Sequence, residues 1–565
     1  LGVTRSLLVT VCVLGAGQLL PYLDHYRPQI ERNLEQILGY DVILDKIDGQ
    51  LEGVDPTFSV SGFRLTTPSS SDQPNTAVSI NELRVRLDLI KSILTFKPQF
   101  TYIRFVRPSV SLEEKGGQWL LHGARPVRSV QNDVGIERIL DYLSEQRNFS
   151  IYDADVHIAS ERLGNHLLKV DHVYIYRQSF QSLLKSRVYL DDNPTPFIIN
   201  AEVNKSLSLL GGYRVKASIA APRVVLPIAD MFPSSQLLAS LELGGDIWLD
   251  ALIGKELDVR SEMVSVKASF KNGQQYEATT ALKLNYNQKQ PGVRVDLANM
   301  SLKDQDGRGY PATNATFDWS SVTERSNIRF DQVDLDLTQQ LALLFLPESS
   351  NAASILKGLA PRGMAKNGVV RLWKDDNDLS FQLVTNLQTA SVQSYNGIPK
   401  ANNVNAVFSL SEDNGYIDFR GENSEILFDT VYDKAWLSES LSGYVSWQKI
   451  HNAFLVSGRD LSVQRNGGYV RGGFRLEVRD EQPDWIGLDL QGKSISSADR
   501  LTYVPPNALG DGLSAWIRNA ISDSGSADSV DILVHSELSK GAKPHVRMQM
   551  AVSEANIKFD ENWPE

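Results

Sequence analysis

The stretch Leu83-Arg84-Val85-Arg86-Leu87-Asp88-Leu89 alternates apolar and charged residues at every position. Successive side chains of a β-strand point to opposite faces of the sheet, so this pattern predicts a strand with one apolar and one polar face. The same period of two recurs from Tyr40 to the end of the chain, between short turn segments. The sequence therefore predicts a mainly β protein.

Helical spacing interrupts this pattern at a few points. Ile30, Leu34, Ile37 and Leu38 lie on one side of a helix, with charged residues between them, and predict a short amphipathic helix over 30–38. Gly39 follows it in the position where glycine commonly ends a helix. Further helices are predicted over residues 134–146, 226–238, 341–359 and 509–521.

The number of strands restricts the architecture. A single hydrophobic core stops growing near about 250–300 residues, and this chain has 565. Several sandwiches in series, a propeller and one long sheet are the alternatives, and no blade-periodic motif favours the propeller. A long sheet can hide its apolar face by bending. We predict an elongated, twisted antiparallel sheet of roughly 30 strands, curled into a hydrophobic groove (a β-taco).

The apolar sides of the predicted strands are the candidate site. From the residues alone they could line either a sealed sandwich core or an open groove, and composition favours the sealed core. The candidate groove residues are Val85, Leu87, Leu89, Val156, Ile158, Val173, Ile175, Val188, Leu190, Val215, Ala217 and Ile219.

The N-terminal residues 1–23 contain a single charge, at Arg5. About 20 apolar residues span a bilayer, so this segment predicts a transmembrane anchor with its N-terminus in the cytoplasm. Gly15 and Gly17 leave a cleaved signal peptide as the alternative, and both interpretations export the chain. The predicted anchor residues are Leu7, Leu8, Val9, Val11, Val13, Leu14, Leu19 and Leu20.

Composition and motifs exclude several classes of function. The net charge of −11 provides no basic footprint for nucleic acid, and Cys12 is the only cysteine. The sequence contains no nucleophile elbow, P-loop or H-E-x-x-H motif. The segment 304–307 (Asp-Gln-Asp-Gly) lacks the glutamate of a calcium loop and predicts a hairpin turn. His166 and His172 are interpreted as sheet-face histidines. We predict no enzyme activity, cofactor or metal.

Short motifs at both ends of the chain resemble the YhdP family of the AsmA-like group, which also includes TamB. The N-terminal motifs are Leu20-Pro21-Tyr22-Leu23-Asp24-His25-Tyr26-Arg27-Pro28-Gln29-Ile30-Glu31 and Gly39-Tyr40-Asp41-Val42. The C-terminal motifs are Tyr503-Val504-Pro505, Leu513-Ser514-Ala515-Trp516-Ile517, the stretch Ala520–Gly525, and Trp563-Pro564. Tyr503-Val504-Pro505 departs from the more usual Tyr-Phe-Pro, which affects packing.

This resemblance implies a fold and a function. The fold is a groove like that of the bridge-like lipid transfer proteins, anchored in the inner membrane of a Gram-negative bacterium with its body in the periplasm. The function is phospholipid transport from the inner to the outer membrane, which the chain would reach through a C-terminal part beyond this fragment. A protein of the inner membrane is a further expected partner, and direction or energy would have to come from partners. The resemblance favours a retained anchor and an open groove, and the alternative function is a structural envelope scaffold without lipid conduction.

The same resemblance divides the chain into three parts. They are a transmembrane anchor over residues 1–23, an AsmA/chorein-like start of the groove over 24–130, and a continuing β-groove over 131–565.

Overall fold

The computed structural model describes residues 20–38, 40–67, 75–95, 99–115, 118–122, 148–160, 164–178, 181–205, 213–226, 237–375, 378–432, 434–480, 482–503, 515–520, 522–539, 542–556 and 558. The described chain holds 27 strands and a few short helices, which confirms the mainly β prediction. It divides into two compact units. The N-terminal unit comprises Leu1–Pro291 and Lys303–Arg308, and the C-terminal unit comprises Gly292–Leu302 and Gly309–Glu565.

The N-terminal unit contains fourteen strands. They are β1 (Asp41–Ile43), β2 (Lys46–Glu52), β3 (Asp55–Thr67), β4 (Asn75–Leu87), β5 (Phe100–Lys115), β6 (Gln118–Leu121), β7 (Asn148–Ser160), β8 (Gly164–Gln178), β9 (Gln181–Leu190), β10 (Phe197–Lys205), β11 (Tyr213–Leu226), β12 (Leu238–Leu252), β13 (Glu256–Phe270) and β14 (Gln275–Asn287).

Most neighbouring strands of this unit pair in antiparallel fashion, as predicted, but β5 and β7 run parallel. The prediction of an antiparallel sheet was therefore wrong at this one pair of strands. Parallel neighbours need a crossover of a dozen or more residues, and residues 122–147 supply that length. The helix predicted over 134–146 falls in this connection and lies outside the described residues.

The N-terminal end of the sheet is covered by helices. A 3₁₀-helix over Leu20–Tyr26 leads into α1 (Arg27–Leu38), which confirms the amphipathic helix and starts it three residues earlier than predicted. The helices pack on a buried cluster of Val42, Leu44 and Ile47. The cluster is completed by Leu23, Ile30, Leu34, Val60 and Phe63.

Charged side chains of these helices also bind the outer edge of β1 and β2. The backbone N–H groups of Val42, Leu44 and Ile47 donate to Glu35 Oε1 (3.3 Å), Glu31 Oε1 (2.8 Å) and Asp24 Oδ1 (3.1 Å), respectively. On their other side, β1 and β2 pair with β3. Three carboxylates therefore take the place of a neighbouring strand.

Seven of the eight predicted anchor residues, at positions 7, 8, 9, 11, 13, 14 and 19, lie outside the described residues. The eighth, Leu20, is 5% exposed and opens the 3₁₀-helix. It lies over β2, where a Cβ atom at Gly49 would stand 2.9 Å from Leu20 Cδ2. Within the described part of the chain, no helix has the length and hydropathy needed to cross a membrane.

Thirteen strands start in the C-terminal unit. They are β15 (Gly292–Asp304), β16 (Thr313–Ser320), β17 (Arg325–Asp334), β18 (Arg362–Asp375), β19 (Asp378–Val392), β20 (Lys400–Ser411), β21 (Asn414–Leu427), β22 (Trp436–Ile450), β23 (Ala453–Arg465), β24 (Gly468–Arg479), β25 (Trp485–Ser496), β26 (Ser526–Glu537) and β27 (His545–Ser553). Each pairs antiparallel with the next, so the unit is a continuous meander.

Further helices interrupt the described strands of both units. In the N-terminal unit α2 (Leu89–Thr95) follows β4, and in the C-terminal unit α3 (Leu335–Phe345) and α4 (Asn351–Leu359) join β17 to β18. The last two confirm the predicted helices over 341–359. The short α5 (Arg500–Tyr503) and a helix over 515–520 precede β26, and the latter is the described part of the helix predicted over 509–521.

The helix predicted over residues 226–238 was wrong at both ends. Leu226 closes β11 and Leu238 opens β12, while residues 227–236 lie outside the described residues. Apolar runs at strand ends share the spacing of a short helix, which explains the error.

Aromatic rings cover glycines on the neighbouring strands of the C-terminal unit. A Cβ atom at Gly458 would stand 2.3 Å from Phe474 Cε1, and one at Gly368 would stand 1.9 Å from Phe330 Cζ. Each glycine is the cross-strand partner of the ring that covers it. These glycines are therefore fixed by packing.

Gly458→Ala is expected to destabilise the C-terminal unit by about 1–3 kcal/mol, because Phe474 must leave its position. Gly487→Ala is the matched control, since no atom lies within 4 Å of the Cβ position at that strand glycine. Alanine there should be neutral or stabilise by up to about 1 kcal/mol. Urea unfolding measures both variants, and equal midpoints would contradict the ring-over-glycine interpretation.

Candidate functional site

One row of cross-strand partners crosses eleven strands of the N-terminal unit and contains only apolar residues. Directly opposed residues share a face of the sheet, so the row marks one side. We call it the apolar row; from β3 to β14 it consists of Phe58, Val85, Ile103, Phe149, Ile175, Leu184, Ala201, Ala217, Leu249, Val259 and Leu284.

The row one residue away lies on the opposite face and is mainly polar, with Trp248 as its large apolar member. We call it the polar row; on the same strands it consists of Ser59, Arg84, Arg104, Ser150, Tyr174, Lys185, Asn200, Ser218, Trp248, Arg260 and Lys283. Exposure follows the same division, since Ile175 is 7% exposed and its neighbour Tyr174 is 37% exposed. The sheet of this unit therefore has a continuous apolar row on one face and a mainly polar row on the other.

Eleven of the twelve candidate groove residues lie on the apolar face. Val85, Ile175 and Ala217 belong to the apolar row itself. Register and alternation place the others beside it: Leu87, Val156, Ile158, Val173, Val188, Leu190, Val215 and Ile219. That these residues line a groove remains a prediction.

Leu89 is the exception. The strand predicted to reach it ends at Leu87, and Leu89 is the first residue of α2. Asp88 ends the strand because its carboxylate accepts from the backbone N–H of Lys91 at 3.0 Å, as a helix cap does. The assignment of Leu89 to a strand face was therefore wrong, although its side chain is buried.

Two irregular positions explain why the apolar face is hard to follow along single strands. Arg107 and Asp153 have φ angles of +48° and +51°, and each sits where the apolar alternation changes phase. On β5 the alternating apolar residues are Ile103 and Phe105 before Arg107, and Pro108 and Val110 after it. Eight members of the row were not among the candidate groove residues, and only the register joins them to it: Phe58, Ile103, Phe149, Leu184, Ala201, Leu249, Val259 and Leu284.

The C-terminal unit carries a corresponding row, described by itself. From β15 to β25 it consists of Val295, Phe317, Ile328, Val370, Leu383, Leu410, Gly415, Trp447, Val456, Leu476 and Ile486. Gly415 is the one member without a side chain, and the Trp447 ring covers it so closely that a Cβ atom there would stand 2.4 Å from Trp447 Cζ2. Both units therefore present an apolar face.

Ion pairs lie on the polar face of the N-terminal unit, one between β11 and β12 and one within β13. Arg214 binds both oxygens of Asp250 at 2.7 and 2.9 Å, and Arg260 binds both oxygens of Asp258 at 2.6 and 3.2 Å. These hydrogen bonds hold the pKa of each aspartate below its usual value. A shallow depression of ≈ 500 Å³ lies among these pairs, with Trp248 at its wall. Lys185, Asn200 and Arg260 contribute polar groups to its lining, but most of the exposed lining surface is apolar.

Acid is expected to weaken the N-terminal unit through these pairs. A lowered folded-state pKa stabilises the fold at pH values above the unfolded pKa of about 3.9, and this contribution disappears as the pH falls through the folded value. The urea midpoint of the protein should therefore fall between pH 5 and pH 3. An Asp250→Asn, Asp258→Asn variant should show a smaller fall over the same range, and an identical fall would contradict the assignment.

The residues considered for metal binding have other roles. His166 Nδ1 lies 2.8 Å from Asp191 Oδ2, and His172 Nδ1 lies 3.3 Å from Asp171 Oδ2. In the 304–307 segment, the N–H of Gly307 donates to Asp304 O at 3.1 Å and Gly307 has φ +79°, which confirms the hairpin turn. Among the residues that the structure describes, no three His, Cys, Asp or Glu side chains form a metal-binding group.

These features define a class of mainly β protein, a strand meander with one apolar and one polar face. The profile of the YhdP protein family matches residues 2–565, so the chain belongs to that family. A relative named "Intermembrane phospholipid transporter YhdP", from Escherichia coli (strain K12), is 20% identical over 590 residues. The match covers all of this chain and 45% of that relative, so the chain spans less than half of its length. No solved structure matches the chain.

Proposed function

We propose that this chain carries phospholipid between membranes, with acyl chains held on the apolar face and headgroups in water. The apolar row supports the proposal most directly, because it continues across eleven strands without a polar residue. Membership of the YhdP family and the printed name of the E. coli relative support the same cargo.

The chemistry requires no catalytic group. Each CH₂ group removed from water gains about 0.8 kcal/mol, so an acyl chain is held wherever the apolar face is accessible. Successive strands repeat the same apolar surface every ~4.8 Å, and a lipid that moves by one strand exchanges one site for an equivalent one. Movement of a lipid along the row is therefore nearly neutral in free energy. The direction of transport must be set at the two ends of the row or by a partner protein.

The location and route are part of the same proposal. The chain would be a single-pass inner-membrane protein with its body in the periplasm, and lipid would travel towards the outer membrane. Its partners would be phospholipids, both membranes, and an inner-membrane protein that supplies energy. The low charge of residues 1–23 and the family membership support this arrangement.

Native mass spectrometry of protein released from detergent tests the cargo. We expect co-purified phospholipid, released by organic extraction in at least one copy per chain. A structural scaffold is the alternative: protein that carries no lipid, and whose folded form binds no hydrophobic fluorescent probe, would have a sealed apolar face and would contradict the proposal.

A further inference from the structure

Two arginines stand directly opposite each other on the polar face of the N-terminal unit. Arg84 of β4 and Arg104 of β5 are cross-strand partners. Opposed side chains lie about 5 Å apart at Cβ, and like charges in that position are destabilising. Arg84 is compensated because its Nε contacts Glu82 Oε1. The positive charge of Arg104, directly opposite Arg84, requires a separate explanation.

The guanidinium of Arg104 lies between two tyrosine rings. Its Cζ atom is 5.5 Å from the centroid of the Tyr102 ring and 5.6 Å from that of Tyr152. Tyr174 joins this group, since its ring lies 5.4 Å from the Tyr152 ring. Contact with two rings fixes the plane of the guanidinium and removes part of its water.

Among the described residues, Arg104 has neither a carboxylate partner nor a hydrogen-bond acceptor. Its Nε is buried without a partner. The neighbouring charges are occupied elsewhere: Arg86 binds Glu52 and Asp55, and Asp171 binds His172 and Arg187. Within the described part of a chain of net charge −11, Arg104 is thus an oriented cation without a counter-ion.

We propose that Arg104, with Tyr102, Tyr152 and Tyr174, forms a binding site for a phosphate group. A guanidinium offers parallel N–H donors that match two phosphate oxygens, and a tyrosine hydroxyl can donate to a third. A bound dianion would also relieve the repulsion between Arg84 and Arg104. The phosphate can belong to a free ion or to the headgroup of an anionic lipid at a membrane surface.

This site is separate from the apolar face. Arg104 belongs to the polar row and its neighbour Ile103 to the apolar row, so the two surfaces lie on opposite sides of the sheet. A lipid whose tails lie on the apolar face cannot reach Arg104 through the sheet. Phosphate binding can therefore be tested independently of lipid transport.

Titration with inorganic phosphate in a chloride buffer, followed by calorimetry, tests the site. We expect saturable binding that weakens at least tenfold in Arg104→Gln. Arg104→Lys should weaken it less, because it keeps the charge and loses the paired donors. Arg459→Gln is the matched control: that guanidinium lies 4.3 Å from the Tyr444 ring without an arginine opposite, and its loss should leave binding unchanged.

Vesicles distinguish the source of the phosphate. Binding to phosphatidylglycerol vesicles that Arg104→Gln abolishes and inorganic phosphate displaces would identify a lipid headgroup. Saturable binding of inorganic phosphate without such vesicle binding would identify a free ion. Unchanged phosphate affinity in a folded Arg104→Gln variant, or equally tight binding of acetate, would overturn the proposal.

Discussion

Ala201→Arg is expected to lower the phospholipid bound per protein at least tenfold, whereas Asn200→Arg should leave it unchanged. The two residues are neighbours on β10 and point to opposite faces. Ala201 opposes Leu184 and Ala217 in the apolar row, and Asn200 opposes Lys185 and Ser218 in the polar row. The same arginine is thus added at almost the same place, once on each side of the sheet.

The size of the effect follows from the cost of placing a charge among acyl chains. An arginine that faces the hydrocarbon of a bilayer costs about 2–4 kcal/mol in β-proteins, and every 1.4 kcal/mol is about a factor of ten in occupancy. Two small alanines, Ala201 and Ala217, adjoin at this point, so a long side chain would also fill the space between strands. Both effects act against bound lipid.

Lipid extraction and native mass spectrometry of the two variants measure the difference, with circular dichroism to confirm folding. Ala201→Leu is a second control, because it adds volume without charge and should retain lipid. Lipid retained by a folded Ala201→Arg would contradict the proposed position of the acyl chains. An Ala201→Arg variant that unfolds while Ala201→Leu folds without lipid would indicate a sealed core.

The local pattern of the sequence predicts the faces of single strands well. Strict alternation placed Val85, Ile175 and Ala217 on the correct side, because a strand's two faces depend only on its own residues. The amphipathic helix over 30–38 could be predicted in the same way, because its apolar spacing also depends only on residues close in the sequence. These features need no knowledge of which strands are neighbours.

Features that depend on distant residues could not be predicted. The parallel pairing of β5 with β7 depends on the path of residues 122–147, and the apolar row depends on the register of every pair of strands. The prediction for Leu89 was wrong for a different reason. Leu89 continues the apolar alternation of β4, but the carboxylate of Asp88 caps a helix that begins at Leu89. The Arg104 site could not be predicted because its unusual feature is the arginine opposite it, Arg84, and that pairing depends on the register of β4 and β5.

The second large effect is expected at the N-terminal edge of the sheet. An Asp24→Ala, Glu31→Ala, Glu35→Ala variant removes the three carboxylates that accept from the outer N–H groups of β1 and β2. An unpaired, partly buried donor costs about 1–3 kcal/mol, so we expect a loss of more than ~2 kcal/mol in the free energy of unfolding. Urea unfolding of the purified protein measures it.

The same variant should also self-associate. An exposed edge with free N–H groups is a template for pairing with another chain, and carboxylates in that position prevent it. The matched control is Asp24→Asn, Glu31→Gln, Glu35→Gln, which keeps an acceptor oxygen at each position and loses only the charge. Sedimentation velocity should show concentration-dependent dimers or larger species for the alanine variant and monomers for the amide variant. If both remain monomeric and equally stable, the buried contacts of Leu44 and Ile47 with Leu23, Ile30 and Leu34 hold this edge, and the carboxylates are not needed.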